Sequence, residues 1–359
     1  MGIMGNTTGK SESTEAEKSQ TYPIDPKLKE KAYALEKEFI DKYCSPLTSK
    51  EMIYKDVPIN YLGDNYIHTL IRGEEDLLKP NHNGKKILIM IHGYQASSFM
   101  FYKMVPLISD KFIVICPDIL GMGFSSRPKV QFTTCEQTID IFVECIEKLR
   151  QSLNIEKFYI CGHSLGGYFS LNYALKYPQY LEDNIFLMSP TGIGDPSKGG
   201  SCTENLNSTQ KVEFVGSMGL LFYIQPTLQN LSKKSIIGKS IINAEHNKFA
   251  ISKEENELIG EIRAKHFEYP PDLETCIFHI YKQPIPTPLK PLEDLVCQKI
   301  PEKNIIFAFG ENDWMDKFGT ERLNKKDGNK YKFFNIPKTG HRWPMDKAEE
   351  GAKLINEHL

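Results

Sequence analysis

The sequence predicts a protein of the α/β class, with a mostly parallel central sheet, helices on both faces of that sheet and an inserted helical cap. Short apolar runs alternate with helical patterns up to residue 190, and the same alternation resumes after residue 301. Such alternation indicates a parallel sheet, because each crossover helix has to pack on a face of the sheet. We therefore expect a core of residues 26–190 and 302–359, interrupted by a cap of residues 191–301.

The chain begins with a segment that we expect to be disordered, because residues 1–25 are rich in Gly, Ser, Thr, Glu and Lys. A helix is predicted to begin at Pro26, since apolar residues then recur about once per turn and form one face. Residues 54–71 show the alternation and the Gly-Asp-Asn break of an antiparallel strand pair. The apolar residues of the predicted helix are Leu28, Ala32, Leu35, Phe39 and Tyr43.

Six apolar runs supply the candidate strands of the core. Each run is short and almost free of charge, which is typical of strands that are buried on both faces of a parallel sheet. The runs are Lys86–Ile91, Phe112–Ile115, Phe158–Ile160, Ile185–Ser189, Ile305–Phe309 and Tyr331–Ile336.

A nucleophile is predicted at Ser164, which lies in the sequence Gly-His-Ser-Leu-Gly. An apolar run leads into this sequence, and a helical pattern follows it as far as Pro178. Gly-x-Ser-x-Gly between a strand and a helix is a nucleophile elbow, a sharp turn that exposes the serine oxygen. A side chain on Gly162 or Gly166 would collide with the neighbouring strand or helix. Ser164 is therefore expected at the carboxyl end of a central strand.

A serine nucleophile needs a histidine to accept its proton and a carboxylate to orient that histidine. Asp313 lies just past the fifth apolar run, and His341 lies on the loop between the sixth run and the final helix. The order Ser…Asp…His along the chain is that of the α/β-hydrolase fold. We therefore predict a catalytic triad of Ser164, Asp313 and His341. Asp316 is the alternative acid, and His163 is interpreted as a packing residue that the elbow directs away from the serine.

The oxyanion hole is expected to combine two backbone N–H groups. In this fold, one belongs to the residue after the His-Gly pair that follows an early strand, and the other belongs to the residue after the nucleophile. These positions are Tyr94 and Leu165. The glycine-containing loop Asp118–Pro128 is interpreted as a turn without a chemical part.

Composition restricts the kind of protein further. The formal net charge is −2 and no basic stripe with interleaved aromatic residues is present, so no nucleic-acid partner is expected. The eight cysteines lack C-x-x-C spacing, which predicts a reduced intracellular protein without a metal site. We expect no cofactor, because the predicted triad requires none. The sequence contains no run of 18 apolar residues, and it starts without the apolar stretch of a signal peptide.

The predicted cap contains an uncharged segment, Phe214–Ile224, with lysines nearby. One interpretation is an ordinary buried helix of the cap, and the sequence favours it. The alternative is a surface that enters a bilayer and delivers a lipid, with the lysines at the level of the phosphates. The lysines are Lys211, Lys233, Lys234 and Lys239.

Motifs on both sides of the cap resemble those of one family. They are His92-Gly93-Tyr94, Asp118–Pro128, Gly162–Tyr168, Phe309–Met315 and Gly340–Asp346. In these motifs the chain resembles the α/β-hydrolase-domain 4 and 5 family, which includes N-acyl-phosphatidylethanolamine lipase, the lipid-droplet lipolysis co-activator and mitochondrial cardiolipin-specific deacylases. The co-activator lacks the elbow serine that this chain has, so the resemblance implies an enzyme. The spacing of the deacylase branch supports Asp313 as the acid.

The resemblance also implies a second element that contains the triad histidine. His341 and Asp346 form the His-x4-Asp element of the family, which is linked to acyl transfer onto lysophospholipids. The simpler interpretation, which we favour, is a triad histidine followed by an aspartate at the N-terminus of a helix.

Together these observations predict a serine hydrolase that deacylates phospholipids or lysophospholipids through an acyl-serine intermediate. The alternatives left open are a soluble carboxylesterase or thioesterase, a lysophospholipid acyltransferase and a non-catalytic scaffold of a membrane complex. The expected partners are a lipid or acyl-ester substrate and a membrane surface that the cap contacts. The expected location is the cytoplasm or the surface of an organelle, such as a mitochondrion or a lipid droplet.

Overall fold

The computed structural model describes residues 21–200, 208, 211–212, 252–270, 272–282 and 287–359. The strands are β1 (Met52–Asn60), β2 (Asp64–Arg72), β3 (Lys86–Ile91), β4 (Phe112–Pro117), β5 (Phe158–His163), β6 (Leu181–Met188), β7 (Tyr281–Lys282), β8 (Thr287–Pro288), β9 (Asn304–Gly310) and β10 (Tyr331–Ile336). The helices are α1 (Pro26–Tyr43), α2 (Glu74–Leu77), α3 (Cys135–Ser152), α4 (Leu165–Lys176), α5 (Lys253–His266), α6 (Ile277–Ile280), α7 (Glu293–Lys299), α8 (Phe318–Lys326), α9 (Trp343–Asp346) and α10 (Ala348–His358).

The main sheet has the strand order β1-β2-β4-β3-β5-β6-β9-β10 within the described part of the chain. β1 pairs with β2 and β2 pairs with β4 in antiparallel orientation, whereas the neighbours from β4 to β10 are parallel. The antiparallel pair covers the predicted residues 54–71, and the six apolar runs lie in β3, β4, β5, β6, β9 and β10. The predicted fold class is therefore confirmed.

Both faces of this sheet are covered, as the apolar runs require. Along β3, Ile87, Ile89 and Ile91 lie in one buried cluster together with residues of α3 and α4. Leu88 and Met90, which alternate with them, lie in a second buried cluster with residues of α1 and α10. Because successive side chains of a strand point to opposite faces, the two clusters occupy the two sides of the sheet. A strand between two such layers has no polar face, which explains its uninterrupted apolar run.

Parallel strands bring distant parts of the chain to one edge. β3, β5, β6, β9 and β10 run in the same direction, so their carboxyl ends lie at the same edge of the sheet. The residues that directly follow β3, β5 and β6 are His92, Ser164 and Ser189, and the loops after β9 and β10 carry Asp313 and His341. This edge is the place where an open α/β sheet binds its ligand.

Residues 21–25, which the sequence predicts to be disordered, make specific contacts in the structure. Thr21 forms a bridge with Pro128, and the N–H of Tyr22 donates to the carbonyl of Arg127 at 2.9 Å. Asp25 caps α1 by accepting the N–H of Lys27 at 2.9 Å. The composition of the segment does not reveal the contacts of Thr21 and Tyr22, because they are made by backbone groups, which every residue has. Residues 1–20 lie outside the described residues.

The described helices of the predicted cap pack on different parts of the core, with α5 beside α1, α6 beside α3 and α7 beside α4. Arg127 donates from Nε to the carbonyl of Pro270 at 3.0 Å and lies 5.1 Å from the ring of Tyr269. A Cβ on Gly121 would come within 2.2 Å of Leu273, so the cap approaches the loop after β4 closely.

The apolar segment 214–224 lies outside the described residues, and so do three of the four nearby lysines. The two interpretations of that segment therefore stay predictions. None of the described helices has the length and apolar character needed to cross a membrane.

Candidate active site

Ser164 lies at the turn between β5 and α4, with φ of 54° and ψ of −120°. A positive φ is unfavourable for a residue with a side chain, so the surrounding structure has to hold it. The N–H of Ser164 donates to the carbonyl of Met188 at the end of β6, at 3.0 Å. Its carbonyl accepts the N–H of Gly167 at 3.0 Å and that of Thr191 at 3.2 Å. The strained turn is thus fixed by the adjacent strand, by the first turn of α4 and by the loop after β6.

The two glycines of the elbow lie where no side chain fits. A Cβ on Gly162 would lie 2.5 Å from the carbonyl oxygen of Gly166, and a Cβ on Gly166 would lie 2.2 Å from the carbonyl oxygen of His92. Both neighbours are backbone atoms, which cannot move aside as the end of a side chain could. The absence of both side chains therefore lets α4 start directly against β3 and β5.

A chain of hydrogen bonds joins three of the residues that the sequence predicts for the site. His341 Nε2 lies 3.0 Å from Ser164 Oγ, and His341 Nδ1 lies 3.0 Å from Asp313 Oδ1. An ionised carboxylate can only accept, so Nδ1 carries the proton and Nε2 is left to accept the serine hydroxyl. The Asp313 side chain is fully buried, whereas 14% of the His341 side chain is exposed. The arrangement suits a serine that loses its proton to a histidine.

Asp313 is held in its ionised form by its neighbours. Burial alone would raise its pKa, but the charge of His341 and the hydrogen bonds from His341, Ser189 and the N–H of Met315 together lower it below the usual value. The Met315 N–H donates to Oδ1 at 2.9 Å, and the Ser189 hydroxyl donates to Oδ2. The indole N–H of Trp343 in turn donates to Ser189 Oγ at 3.0 Å. Sequence reasoning assigned no such part to Ser189, at the end of a predicted strand, or to Trp343, within the Gly340–Asp346 motif. The reason is that the contact of Ser189 with Asp313 and that of Trp343 with Ser189 form only in the folded chain.

Asp316, the alternative acid, does not contact His341. Its Oδ1 accepts the N–H of Phe318 at 2.9 Å, at the start of α8. A Cβ on Gly194 would lie 2.5 Å from Asp316 Oδ2, so the carboxylate faces the loop after β6. Burial raises the pKa of Asp316, in contrast to Asp313. Between the two acids, the structure brings Asp313 to the histidine.

His163, interpreted from the sequence as a packing residue, is buried and also makes a specific hydrogen bond. Its Nε2 donates to the backbone carbonyl of His341 at 2.9 Å, and its ring lies 4.7 Å from the ring of His341. Burial, with a further contribution from the charge of His341, lowers the pKa of His163 to about 3. A neutral His163 can therefore hold the loop of His341 without adding a charge beside it. The ring of Trp314 lies 4.8 Å from that of His341 as well.

The two residues predicted to form the oxyanion hole lie on segments next to Ser164. Leu165 is the first residue of α4, so its N–H is one of those that have no acceptor within the helix. Tyr94 follows Gly93, and a Cβ on Gly93 would lie 3.0 Å from Ser164 Cβ. The loop after β3 therefore passes directly beside Ser164. The role of Tyr94 and Leu165 as oxyanion donors stays a prediction.

Asp346 of the His-x4-Asp element lies away from the hydrogen bonds of the triad residues. It is the last residue of α9, one residue separates it from the start of α10, and it is exposed. Burial of part of its carboxyl group raises its pKa, and Arg342, Lys103 and Lys347 oppose that shift. The carboxylate therefore lies within the electrostatic influence of three cations, just before the final helix begins. No group of three or more His, Cys, Asp and Glu side chains in the described residues could hold a metal ion.

Comparison with known proteins agrees with this architecture. The sequence profile of the α/β hydrolase fold family matches residues 86–208. A probable 1-acylglycerol-3-phosphate O-acyltransferase of Oryza sativa subsp. japonica is 24% identical over 263 residues, which are 71% of this chain and 62% of that protein. The 1-acylglycerol-3-phosphate O-acyltransferase ABHD5 of Rattus norvegicus is 32% identical over 150 residues, which are 42% of this chain and 39% of that protein. The chain thus spans less than two thirds of the length of either relative.

A solved structure supports the same fold over nearly the whole chain. Carboxylesterase CesB (YbfK) of Bacillus subtilis has a TM-score of 0.61 and 15% identity, and the match covers 93% of this chain and 98% of that one. At this identity the likeness concerns the fold alone. Relatives named as abhydrolase-domain proteins are among the matches, in agreement with the resemblance of the motifs. The chain has the α/β-hydrolase fold, and its relatives support a place among the α/β-hydrolase-domain proteins.

Proposed function

We propose that this protein is a serine hydrolase that deacylates phospholipids or lysophospholipids through an acyl-serine intermediate. The observation that carries the proposal is the continuous hydrogen-bonded chain from Asp313 through His341 to Ser164, at the edge where the parallel strands end. The side chains are mutually oriented for proton transfer, and the buried carboxylate of Asp313 is kept ionised.

The first half of the reaction forms the acyl-serine. Ser164 Oγ attacks the carbonyl carbon of the ester while His341 Nε2 accepts the hydroxyl proton. The carboxylate of Asp313 stabilises the positive charge that develops on the imidazole. When the tetrahedral intermediate collapses, the bond from carbon to the alcohol oxygen breaks, and His341 returns the proton to that oxygen. The lysolipid, or the deacylated head group, then leaves.

The second half of the reaction regenerates the serine. A water molecule attacks the acyl carbon and gives a proton to His341 Nε2, and the bond from carbon to Ser164 Oγ then breaks as the proton returns to the serine. In both halves, negative charge develops on the former carbonyl oxygen. The N–H groups of Tyr94 and Leu165 are the donors that we assign to that oxygen, and removal of one such donor costs about 10²–10³-fold in rate in comparable enzymes.

The class of substrate rests on the names of the relatives. The rice and rat proteins are both named for acyl transfer to 1-acylglycerol-3-phosphate, which is an acyl ester of a glycerol phosphate. These names favour a glycerolipid over a small soluble ester as the substrate of this chain. They also favour a second candidate function, in which the hydroxyl of a lysophospholipid replaces water in the second half of the reaction. Asp346 is exposed and lies near three cations, which supports a structural place for it more than a part in that transfer.

A hydrolase of small soluble esters and a non-catalytic scaffold are less well supported by the same observations. A soluble carboxylesterase or thioesterase would use the same three residues, and the CesB likeness extends to the fold alone. A non-catalytic scaffold would need neither a strained serine nor a buried acid that is kept ionised, since both are costly to maintain. Association with an organelle surface through the cap is part of our proposal and depends on the segment 214–224, which the structure does not describe.

The test compares the wild-type protein with Ser164→Ala on purified phospholipids and lysophospholipids that carry a labelled acyl chain. The matched control is Ser152→Ala, because Ser152 is an exposed serine at the end of α3. We expect the wild type and the control to release labelled fatty acid and to react with a fluorophosphonate, and Ser164→Ala to do neither. Adding unlabelled 1-acylglycerol-3-phosphate separates the two candidates, since acyl transfer moves the label into phosphatidic acid. Equal activity of wild type and Ser164→Ala would contradict the proposal.

A further inference from the structure

His92, the residue after β3, is completely buried and makes two hydrogen bonds to the backbone. Its Nδ1 lies 2.7 Å from the carbonyl oxygen of Gly93, and its Nε2 lies 2.8 Å from the backbone nitrogen of Ile119. A carbonyl oxygen can only accept and an amide N–H can only donate, so the partners fix the tautomer. Nδ1 carries the proton and donates to Gly93, while Nε2 accepts from Ile119. Burial lowers the pKa of His92, which is consistent with a neutral ring.

The first of these bonds, together with a longer one of 3.3 Å from the N–H of Ala96, fixes the orientation of a peptide group beside Ser164. The carbonyl of Gly93 and the N–H of Tyr94 belong to one peptide unit, which is planar and trans. The two groups therefore point in opposite directions, and holding the carbonyl also aims the N–H. A glycine leaves the following peptide unit unusually free to rotate, so an external hydrogen bond has most effect there. The next residue, Gln95, has φ of 51°, which shows that this turn is held in an unfavourable conformation.

The peptide group lies close enough to the nucleophile to matter for its chemistry. A Cβ on Gly93 would approach both Ser164 Cβ and His163 Nδ1 to 3.0 Å. Glycine at this position thus allows the loop to pass against the serine without a side chain between them. The Tyr94 N–H belongs to the peptide unit that directly follows, so it lies on the segment that passes Ser164.

The second bond of His92 ties the ring to a loop that is itself firmly held. Ile119 follows Asp118, whose Oδ1 accepts the N–H of Ser98 at 2.6 Å and whose Oδ2 accepts the N–H of Phe124 at 2.8 Å. The carboxylate of Asp118 is fully buried. The loop that follows β4, interpreted from the sequence as a turn without a chemical part, therefore anchors the ring of His92.

We propose that His92 is a positioning residue, which holds the Gly93–Tyr94 peptide so that the Tyr94 N–H faces the oxyanion of the acyl-transfer reaction, and that the loop after β4 holds His92 in place. This inference rests on the proposed function. His92 contacts neither the substrate nor the reacting atoms. It acts through the orientation of one backbone donor.

The test uses two variants that each remove one of the two hydrogen bonds of His92. In His92→Asn the amide nitrogen takes the place of Nδ1 and keeps the donor to Gly93, whereas the acceptor for Ile119 is lost. In His92→Gln the amide lies near the place of Nε2 and keeps an acceptor for Ile119, whereas the donor to Gly93 is lost. Each variant therefore loses one buried hydrogen bond, and each serves as the stability control of the other.

We expect His92→Gln to lower kcat on a soluble p-nitrophenyl ester about tenfold to hundredfold, with KM little changed. The affinity for a trifluoromethyl ketone, which forms an oxyanion on the serine, should fall by the same factor. The affinity for the corresponding alcohol, which forms none, should stay. His92→Asn should keep most of the rate and of the ketone affinity. Equal losses in the two variants, or a larger loss in His92→Asn, would overturn the inference.

A measurement on the wild type alone keeps the inference testable if a variant fails to fold. A crystal structure of the phosphonate adduct of Ser164 is expected to show the phosphoryl oxygen within hydrogen-bond distance of Tyr94 N, with the Gly93 carbonyl still bound by His92 Nδ1. An adduct whose oxygen lies elsewhere, or whose Gly93 carbonyl has turned away from His92, would overturn the inference while leaving the hydrolase proposal intact. A wild-type protein that forms no adduct at all would overturn both.

Discussion

Replacing Asp313 by asparagine removes one negative charge while it keeps the shape of the side chain. Oδ1 of Asp313 accepts both His341 Nδ1 and the N–H of Met315, and Oδ2 accepts the hydroxyl of Ser189. If the new amide nitrogen took the place of Oδ1, it would face two N–H donors, those of His341 and Met315. If it took the place of Oδ2, it would face only the hydroxyl of Ser189. A hydroxyl can reverse and accept, so the amide nitrogen is expected to face Ser189. The amide oxygen then still accepts the proton of His341 Nδ1, and the histidine keeps its tautomer.

The loss of rate in Asp313→Asn then comes mainly from the missing charge. His341 Nδ1 lies 3.0 Å from Asp313 Oδ1, which puts the centres of the two charges roughly 4 Å apart when the imidazole is protonated. With an effective dielectric constant of about 20, this attraction is about 4 kcal/mol. In the proposed reaction His341 gains that positive charge when it accepts the proton of Ser164. The variant is therefore expected to lose about 10³-fold in kcat.

The assay is the hydrolysis of a soluble ester, with the rate of fluorophosphonate labelling as a second readout. Asp316→Asn is the matched control, since its amide oxygen still accepts the N–H of Phe318 and its carboxylate does not reach His341. We expect both rates to fall together in Asp313→Asn and to change little in Asp316→Asn. If Asp313→Asn kept most of the wild-type rate, or if Asp316→Asn lost as much, the assignment of the acid would be refuted.

The packing around these residues leads to three further predictions. His163→Leu removes the donor to the His341 carbonyl and should lower kcat about tenfold or more, whereas His163→Gln can keep that donor and most of the rate. The pKa of His163 is about 3 in the folded protein and about 6.5 in the unfolded chain, so the unfolded state binds the proton first as pH falls. Between about pH 6.5 and about pH 3, this residue should therefore lower the free energy of unfolding by about 1.4 kcal/mol for each unit that the pH falls. Urea titrations at about pH 7, 6 and 5 should show a weaker dependence of that free energy on pH in His163→Gln than in the wild type. An equal dependence in the two proteins would contradict the assignment. Gly166→Ala puts a Cβ 2.2 Å from a backbone oxygen and should destabilise the fold by about 3 kcal/mol or more, whereas in Gly328→Ala the nearest atom is 3.4 Å away and thermal unfolding should change little.

The sheet and the close approach of Ser164, Asp313 and His341 could be predicted because their physical causes leave local patterns. A strand buried on both faces has to be apolar throughout, and β9 shows this as the run Ile305–Phe309. The elbow demands glycine on both sides of Ser164, since backbone atoms occupy the space of their side chains. The α/β-hydrolase fold places its acid after one strand and its histidine after the next, and Asp313 and His341 follow β9 and β10 in that way. The sequence favoured Asp313 over Asp316 although both lie on the same short loop, and in the structure Asp313 is the acid that lies beside His341.

The residues that orient the site could not be predicted in the same way. His92 and His163 bind backbone carbonyls and amides that any residue could supply, so no partner is visible in the sequence. Ser189 supports Asp313 from the end of β6, 124 residues away along the chain, and its contact exists only once the sheet has formed. The contacts of Thr21 and Tyr22 with the loop near Pro128 also depend on a tertiary arrangement. Each of these contacts arises from the folded arrangement of the chain and cannot be read from the local sequence.

The central claim is a covalent acyl-serine, and trapping that intermediate tests it most directly. The wild-type protein is mixed with a phospholipid that carries a labelled acyl chain, quenched in acid within the first turnovers and digested for mass spectrometry. We expect the acyl mass on the peptide that contains Ser164, and none on that peptide in Ser164→Ala. Turnover without an acylated Ser164 peptide, or an acyl group on another residue, would contradict the account.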